Sequence, residues 1–170
     1  MPWRESARVM LHSELERLLA YLPMAAAGVD AEGVHGARVS VRRLRAAVRM
    51  LRDVLPRRGE SLLKELRWFG TVLGPVRDSD VMIPALLERA ARAGVGQDAL
   101  EPVIHRLQRD ARRARERMEK TLRSKRAARL LERLERLVHQ TLAHPGPRSA
   151  QALETRAACV RGLVDDALTR

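Results

Sequence analysis

His35, Arg38, Arg42, Arg45, Arg49 and Arg52 follow one another at steps of three or four residues within VHGARVSVRRLRAAVRMLR, residues 34–52. Wound into an α-helix, with about 100° of turn per residue, they fall within roughly a quarter to a third of the circumference and form one stripe. From His35 to Arg49 that stripe runs about 21 Å at about 1.5 Å per residue. Like charges one turn apart each destabilise a helix by roughly 0.2–0.5 kcal/mol, and only Glu32 and Asp53 stand near in sequence to relieve them. Such a row calls for an anionic partner. Guanidinium groups donate two parallel hydrogen bonds to phosphate, and donors repeated every helical turn suit a linear phosphate polymer.

The elements that must position this row follow from apolar spacing. Ala37, Val41, Leu44, Val48, Leu51 and Leu55 repeat with the same steps, pointing away from the stripe and offering a seam to other helices, while Arg43 lies between the two faces. The basic helix is expected over 31–55, capped by Asp30 and closed by Pro56 and Gly59. A first helix is expected from Trp3 to Tyr21, stopped near Pro23. A third covers 60–73, with a break at Gly74 and Pro75, and a fourth covers 79–93. Beyond Gln97, Val103, Leu107, Ala111, Ala114, Met118 and Leu122 make one seam. Arg106, Arg109, Arg113 and Arg117 make a second basic line, which the interspersed Asp110, Glu116 and Glu119 mark as a solvated, ion-paired face. Ser124 is placed to cap a helix carrying Leu130, Leu131, Leu134, Leu137 and Val138. HPGPRS at 144–149 reads as a loop before a last helix over 150–169. The expected fold class is all-α, an antiparallel helical bundle of six or seven helices.

Composition agrees with that class. Of 170 residues 45% are hydrophobic and 32% charged, whereas aromatic residues reach only 2%, too few for a β-sandwich. The net charge is +12, and 30 of the 33 basic residues are arginine. A GC-rich coding sequence raises arginine everywhere, so position says more than the total. Residues 31–58 hold eight arginines against Glu32 and Asp53, a net +6 that is half the excess in about a sixth of the chain. Cys159 is the single cysteine, which excludes an internal disulfide and suits a reducing compartment. No segment approaches the roughly 20 apolar residues of a membrane span, so the expected location is cytoplasmic.

Two motifs then coincide. VHGARVSVRRLRAAVR, through Val34, His35, Arg38, Val39, Arg42, Arg43, Leu44 and Arg45, is followed about thirty residues later by LGPVRDSDV, through Leu73, Gly74, Val76, Arg77, Asp78, Asp80 and Val81. Together they resemble the CHAD family, the conserved histidine α-helical domain; Ser124 and Arg126 ahead of LLERL add to the likeness. The resemblance implies two related four-helix bundles around a basic groove or pore that binds inorganic polyphosphate. It also implies no catalysis, no obligatory cofactor, and recruitment to polyphosphate granules. Nothing matches the second His-and-Arg helix of a complete member. The chain is therefore read as an N-terminal half or truncated member, with 1–145 as the first helical bundle and 146–170 as the start of an incomplete second one. Pairing between copies, a homo-oligomer, is one way to complete it.

Within this reading the polyphosphate contacts are His35, Arg38, Arg42, Arg45 and Arg49, flanked by Arg43. Lys64, Arg67, Arg77 and Arg126 are further candidates. His35 is either a neutral hydrogen-bonding group, one that becomes charged when the polyanion arrives, or a residue satisfied by the preceding loop. Asp78 and Asp80 are expected to cap the fourth helix and hold arginines in place. A metal site is not expected, since His12, His105, His139 and His144 show no ligand spacing. Two rivals remain: a module that binds the nucleic-acid phosphate backbone, opposed by the scarcity of aromatic residues for base stacking, and a phosphohydrolase using His35, which lacks a visible orienting partner.

Overall fold

The computed structural model describes residues 2–28, 31–51 and 56–141, and all of its regular elements there are helices. They are α1 (Pro2–Ala27), α2 (Ala31–Met50), α3 (Pro56–Arg92), α4 (Gln97–Leu122) and α5 (Lys125–Thr141). The all-α class holds, but the described residues form five helices instead of the expected six or seven. The expected third and fourth helices are one, because α3 runs through Pro75 and Pro84 without a break. A proline inside a helix removes one hydrogen bond at a cost of about 3 kcal/mol. Here Leu62, Leu66, Phe69, Leu73 and Val76 keep the buried face continuous across the site, none more than 3% exposed, and tertiary packing outweighs the local penalty. Ser79 Oγ donates to the Pro75 carbonyl at 2.9 Å, and the Pro75 ring itself faces solvent. For the same reason α1 passes Pro23, between buried Leu22 and Ala25, and ends at Gly28, whose φ of +67° lies in the left-handed region that glycine adopts freely.

Three antiparallel pairings build the body. α1 and α2 form a hairpin in which Gly33 meets Met24 and Ala25, Gly36 meets Tyr21, and Arg43 reaches Glu14. α2 runs back along α3, with Val41 against Gly70 and Arg38 against Gly74. α4 runs antiparallel to α3 as well: Arg115 pairs with Asp80, and Arg117, Lys120 and Thr121 share a groove with Thr71, Val72 and Pro75. α5 does not turn back. Past the interruption at Arg123 and Ser124 it continues along α3, so that Arg126 meets Glu65 and Arg133 meets Ser61. α4 and α5 are therefore successive lengths laid against the same long helix, which departs from the alternating up-and-down order expected. Ser124 does cap α5, its Oγ accepting from the Ala127 amide at 3.2 Å.

The core draws on all five helices, from Leu11, Leu18, Val41, Leu44 and Phe69 to Met118, Leu130 and Leu134. Beyond Asp80 on α3 and before Ala111 on α4 the two helices leave it, and Val81, Met82, Leu87 and Val103 are exposed there. Among the described residues no helix is long and apolar enough to cross a membrane. Asp30, Arg52, Asp53, Leu55, Cys159, the 144–149 loop, the 150–169 helix and the whole of 146–170 lie outside the described residues, as does the side chain of Trp3.

Two stability outcomes follow. A Cβ on Gly33 would stand 2.7 Å from the Ala25 backbone nitrogen, a rigid atom that cannot swing aside. Gly33→Ala should therefore lower stability by about 1–3 kcal/mol in a denaturant titration, although alanine is the better helix former by about 1 kcal/mol. Glu135 on α5 is half-buried, and its Oε1 is shielded without a hydrogen-bond partner. Burial pushes its carboxyl above the usual range, with His139 opposing and Glu132 adding. A raised native value means the folded state holds the proton more tightly than the unfolded chain. The charged form thus subtracts stability at neutral pH, and the deficit vanishes as pH falls below the unfolded value near 4.5. Glu135→Gln should raise the melting temperature by about 1–4 °C at pH 7, with no gain at about pH 4.

Candidate anion-binding site

α2 divides its circumference three ways. Gly33, Gly36 and the Arg43 flank go to α1, and Ala37, Val41, Leu44 and Val48 go to the core. The basic row takes the remaining flank and borders the α2–α3 groove. It does not stand opposite the buried face as the apolar spacing suggested: in helical projection Arg45 is only about 20° from buried Val34. This placement half-buries part of the row. Arg38 Nη1 lies 2.9 Å from where a Gly74 Cβ would stand, so the guanidinium rests across α3 where a glycine leaves room. Arg45 is half-buried, and its Nε is shielded from solvent with no hydrogen-bond partner. His35 is also half-buried, whereas Arg42 and Arg49 are exposed. Among the described residues, none of His35, Arg42, Arg45 and Arg49 has a side-chain hydrogen bond or an ion pair.

The antiparallel register set by Val41 on Gly70 and Arg38 on Gly74 carries over to α3. It brings Arg45 level with Arg67, Arg49 level with Lys64, and His35 level with Arg77. These three expected candidates thus lie beside the row, and none is ion-paired among the described residues. Arg43 and Arg126 do not join it. Arg43 Nη1 donates to Glu14 Oε1 at 3.1 Å, which Arg17 also reaches at 2.8 Å, and Glu14 is 3% exposed. Arg43 therefore neutralises a buried carboxylate on the α1 side. Arg126 sits on the far side of α3, donating Nε and Nη2 to Glu65 at 2.8 and 3.2 Å with its guanidinium 3.9 Å over the Trp68 ring. The Arg126 hydrogen bond holds the Glu65 carboxyl below its ordinary range against the opposing effect of burial, and the charges of Arg126 and Arg133 lower it further.

Asp78 and Asp80 cap nothing, because α3 is continuous through them. Asp80 does hold an arginine, accepting from Arg115 Nη2 at 3.0 Å with only 14% of its side chain exposed. Asp78 approaches Arg38 at 3.9 Å with its carboxylate 70% exposed, a loose contact that fixes no guanidinium rotamer. Among the described residues no three His, Cys, Asp or Glu side chains gather as a metal site. Glu14 was missed in the sequence, although its place between Leu11, Leu15 and Leu18 on the apolar seam of α1 was a legible signal. The stacking of Arg126 on Trp68 had no such signal, since it joins residues far apart in the chain.

A basic helix face aligned with a glycine-bearing helix, with the two motifs in contact, accounts for both motifs at once. Residues 9–170 match the family model of the CHAD domain. The chain belongs to the CHAD family. CHAD domains are associated with polyphosphate binding in general. No curated protein and no solved structure matches the chain. In this CHAD domain VHGARVSVRRLR lies on α2 and LGPVRDSDV on α3, and they touch where Arg38 crosses Gly74 and faces Asp78. The glycine has a definite steric task there. Gly74→Ala places a methyl against the flexible end of Arg38 and should leave the stability in a denaturant titration unchanged or higher, by up to about 1 kcal/mol of helix propensity. Titration with polyphosphate should nevertheless show an affinity loss of about 2- to 5-fold, as Arg38 is displaced.

Proposed function

We propose that this CHAD domain binds inorganic polyphosphate without catalysis, along the groove edge formed by His35, Arg38, Arg42, Arg45 and Arg49 of α2 with Arg67, Arg77 and Lys64 of α3. Recruitment to polyphosphate granules in the cytoplasm is the cellular consequence of this reading. The observation that carries it is a row of arginines on a well-packed helix in which the sole acid contact among the described residues is the loose one of Arg38 to Asp78, and in which one guanidinium nitrogen, Arg45 Nε, is shielded and unsatisfied. A shielded donor without an acceptor costs about 1–3 kcal/mol, and a phosphate oxygen laid in the groove would remove that cost. The half-buried arginines are also preorganised, so less side-chain entropy is lost when the polymer settles.

The rivals fare less well on the same geometry. Base stacking needs an open aromatic face, but Phe69 is fully buried, Tyr21 is packed on the core and Trp68 is covered by Arg126. A nucleophilic histidine needs an orienting partner, and His35 has none among the described residues.

Titration of labelled long-chain polyphosphate at several salt concentrations tests the proposal. The five α2 contacts by themselves should make the logarithm of affinity fall with the logarithm of salt concentration at a slope at least as steep as about −3.5, taking about −0.7 per neutralised phosphate as for single-stranded nucleic acid, and each further contact steepens it. The double variant Arg42→Ala, Arg45→Ala should flatten that slope by about 1.4 and weaken binding at least about 10-fold without lowering the melting temperature. Displacement by DNA or RNA as effective per charge as by unlabelled polyphosphate would defeat the specific reading.

A further inference from the structure

α4 carries a second row. Arg106, Arg109, Arg113, Arg117 and Lys120 fall within about 80° of its circumference, and all five are exposed. The sequence marked this line as an ion-paired face, yet none of the five has an ion pair or side-chain hydrogen bond among the described residues. Of the bordering carboxylates, Glu116 is engaged by Arg112 at 3.4 Å and Asp110 is exposed.

The position of this row relative to the first follows from the surface of α3. α2 meets α3 along the edge of Gly70 and Gly74, and α4 meets it along the edge of Thr71, Val72 and Pro75. Thr71 and Pro75 follow Gly70 and Gly74 by one residue, or about 100°, and Val72 lies further round, with the core residues Leu66, Phe69 and Leu73 turned away from the Thr71 and Pro75 side of α3. Only the exposed ridge of α3 that carries Lys64, Arg67 and Asp78 separates the two rows. The registers overlap as well: Arg117 and Lys120 border the same groove as Thr71 and Pro75, on the turns of α3 where Arg38 crosses Gly74. At two helix-to-helix spacings of about 8–10 Å, the axes of α2 and α4 are no more than roughly 20 Å apart on either side of that ridge. Between α3 and the second row runs an open groove of about 390 Å³, bounded by Thr71, Pro75, Arg117, Lys120 and Thr121.

We infer that the α4 row is a second polyphosphate-binding surface, and that a long polyphosphate crosses the α3 ridge to occupy both rows at once. This rests on the polyphosphate reading of the α2 row. Two weak sites on one rigid face convert the second binding event into an intramolecular one, so the arrangement selects long chains over short ones.

The test compares tripolyphosphate with long-chain polyphosphate on the wild-type protein and on Arg113→Ala, Arg117→Ala, Lys120→Ala. All three side chains are exposed, and the milder Arg117→Gln, Lys120→Gln serves if the triple variant melts early. The triple variant should bind the long chain at least about 10-fold more weakly, with the salt slope reduced by about 2, while its tripolyphosphate affinity stays that of wild type. Unchanged long-chain affinity, alongside a loss in Arg42→Ala, Arg45→Ala, overturns the second surface and leaves the proposed function standing. Equal losses for both ligands overturn the two-row arrangement. A wild-type protein that binds neither ligand removes the proposed function and this inference together.

Discussion

Repulsion along one flank of α2 is the constraint to which the rest of the fold answers. Four arginines and a histidine share that flank, with only the loose Arg38–Asp78 contact to set against them among the described residues, and a helix of this composition gains little from its own exposed pairs. The other two flanks supply what it lacks. Gly33 and Gly36 let α1 approach until there is no space for a methyl group, while Val41, Leu44 and Val48 are sealed in the core at no more than 1% exposure. Burial worth roughly 1.5–3 kcal/mol per large apolar side chain exceeds the few tenths lost per like-charged pair. The row can therefore stay largely unneutralised, which is the state the proposed function requires.

α3 acts as the spine on which this arrangement is hung. It spans 37 residues, and α2, α4 and α5 all lie against it. Because it continues through Pro75, the glycines that receive α2 and the edge that receives α4 keep a single helical phase. The angular relation between the two basic rows is therefore set by one rigid element. The proline also places a ring without a hydrogen-bonding N–H at the groove between α3 and α4, where the two helices stand apart enough to leave open volume.

Not every arginine in this CHAD domain serves the same end. Arg43 and Arg17 clamp the buried carboxylate of Glu14, Arg115 holds Asp80, and Arg126 joins α3 to α5 through Glu65 and Trp68. Each of these cations meets a specific acid, across a helix pair for Arg43, Arg115 and Arg126 and within α1 for Arg17, and acts as a structural tie. Those of the α2 and α4 rows have no such tie among the described residues beyond the loose approach of Arg38 to Asp78. A close carboxylate partner is what separates the arginines that tie the helices together from those left available to an outside anion, and composition alone does not show it.

What the residue pattern determined by itself is the class of the fold, the existence of the basic row and the kinship of its two motifs. These depend on steps of three and four residues along one helix, which local geometry dictates regardless of neighbours. The cap at Ser124 was legible for the same reason. The number of helices was not, because Pro75 and Pro23 break a helix in isolation and are overridden only when flanking apolar residues are buried by other segments. Nor was it legible that Arg43 and Arg126 would leave the binding row, or that the α4 line would stay unpaired. Whether a charge meets an opposite charge is decided by which helix faces which, a property of the packed molecule that no periodicity within one segment contains.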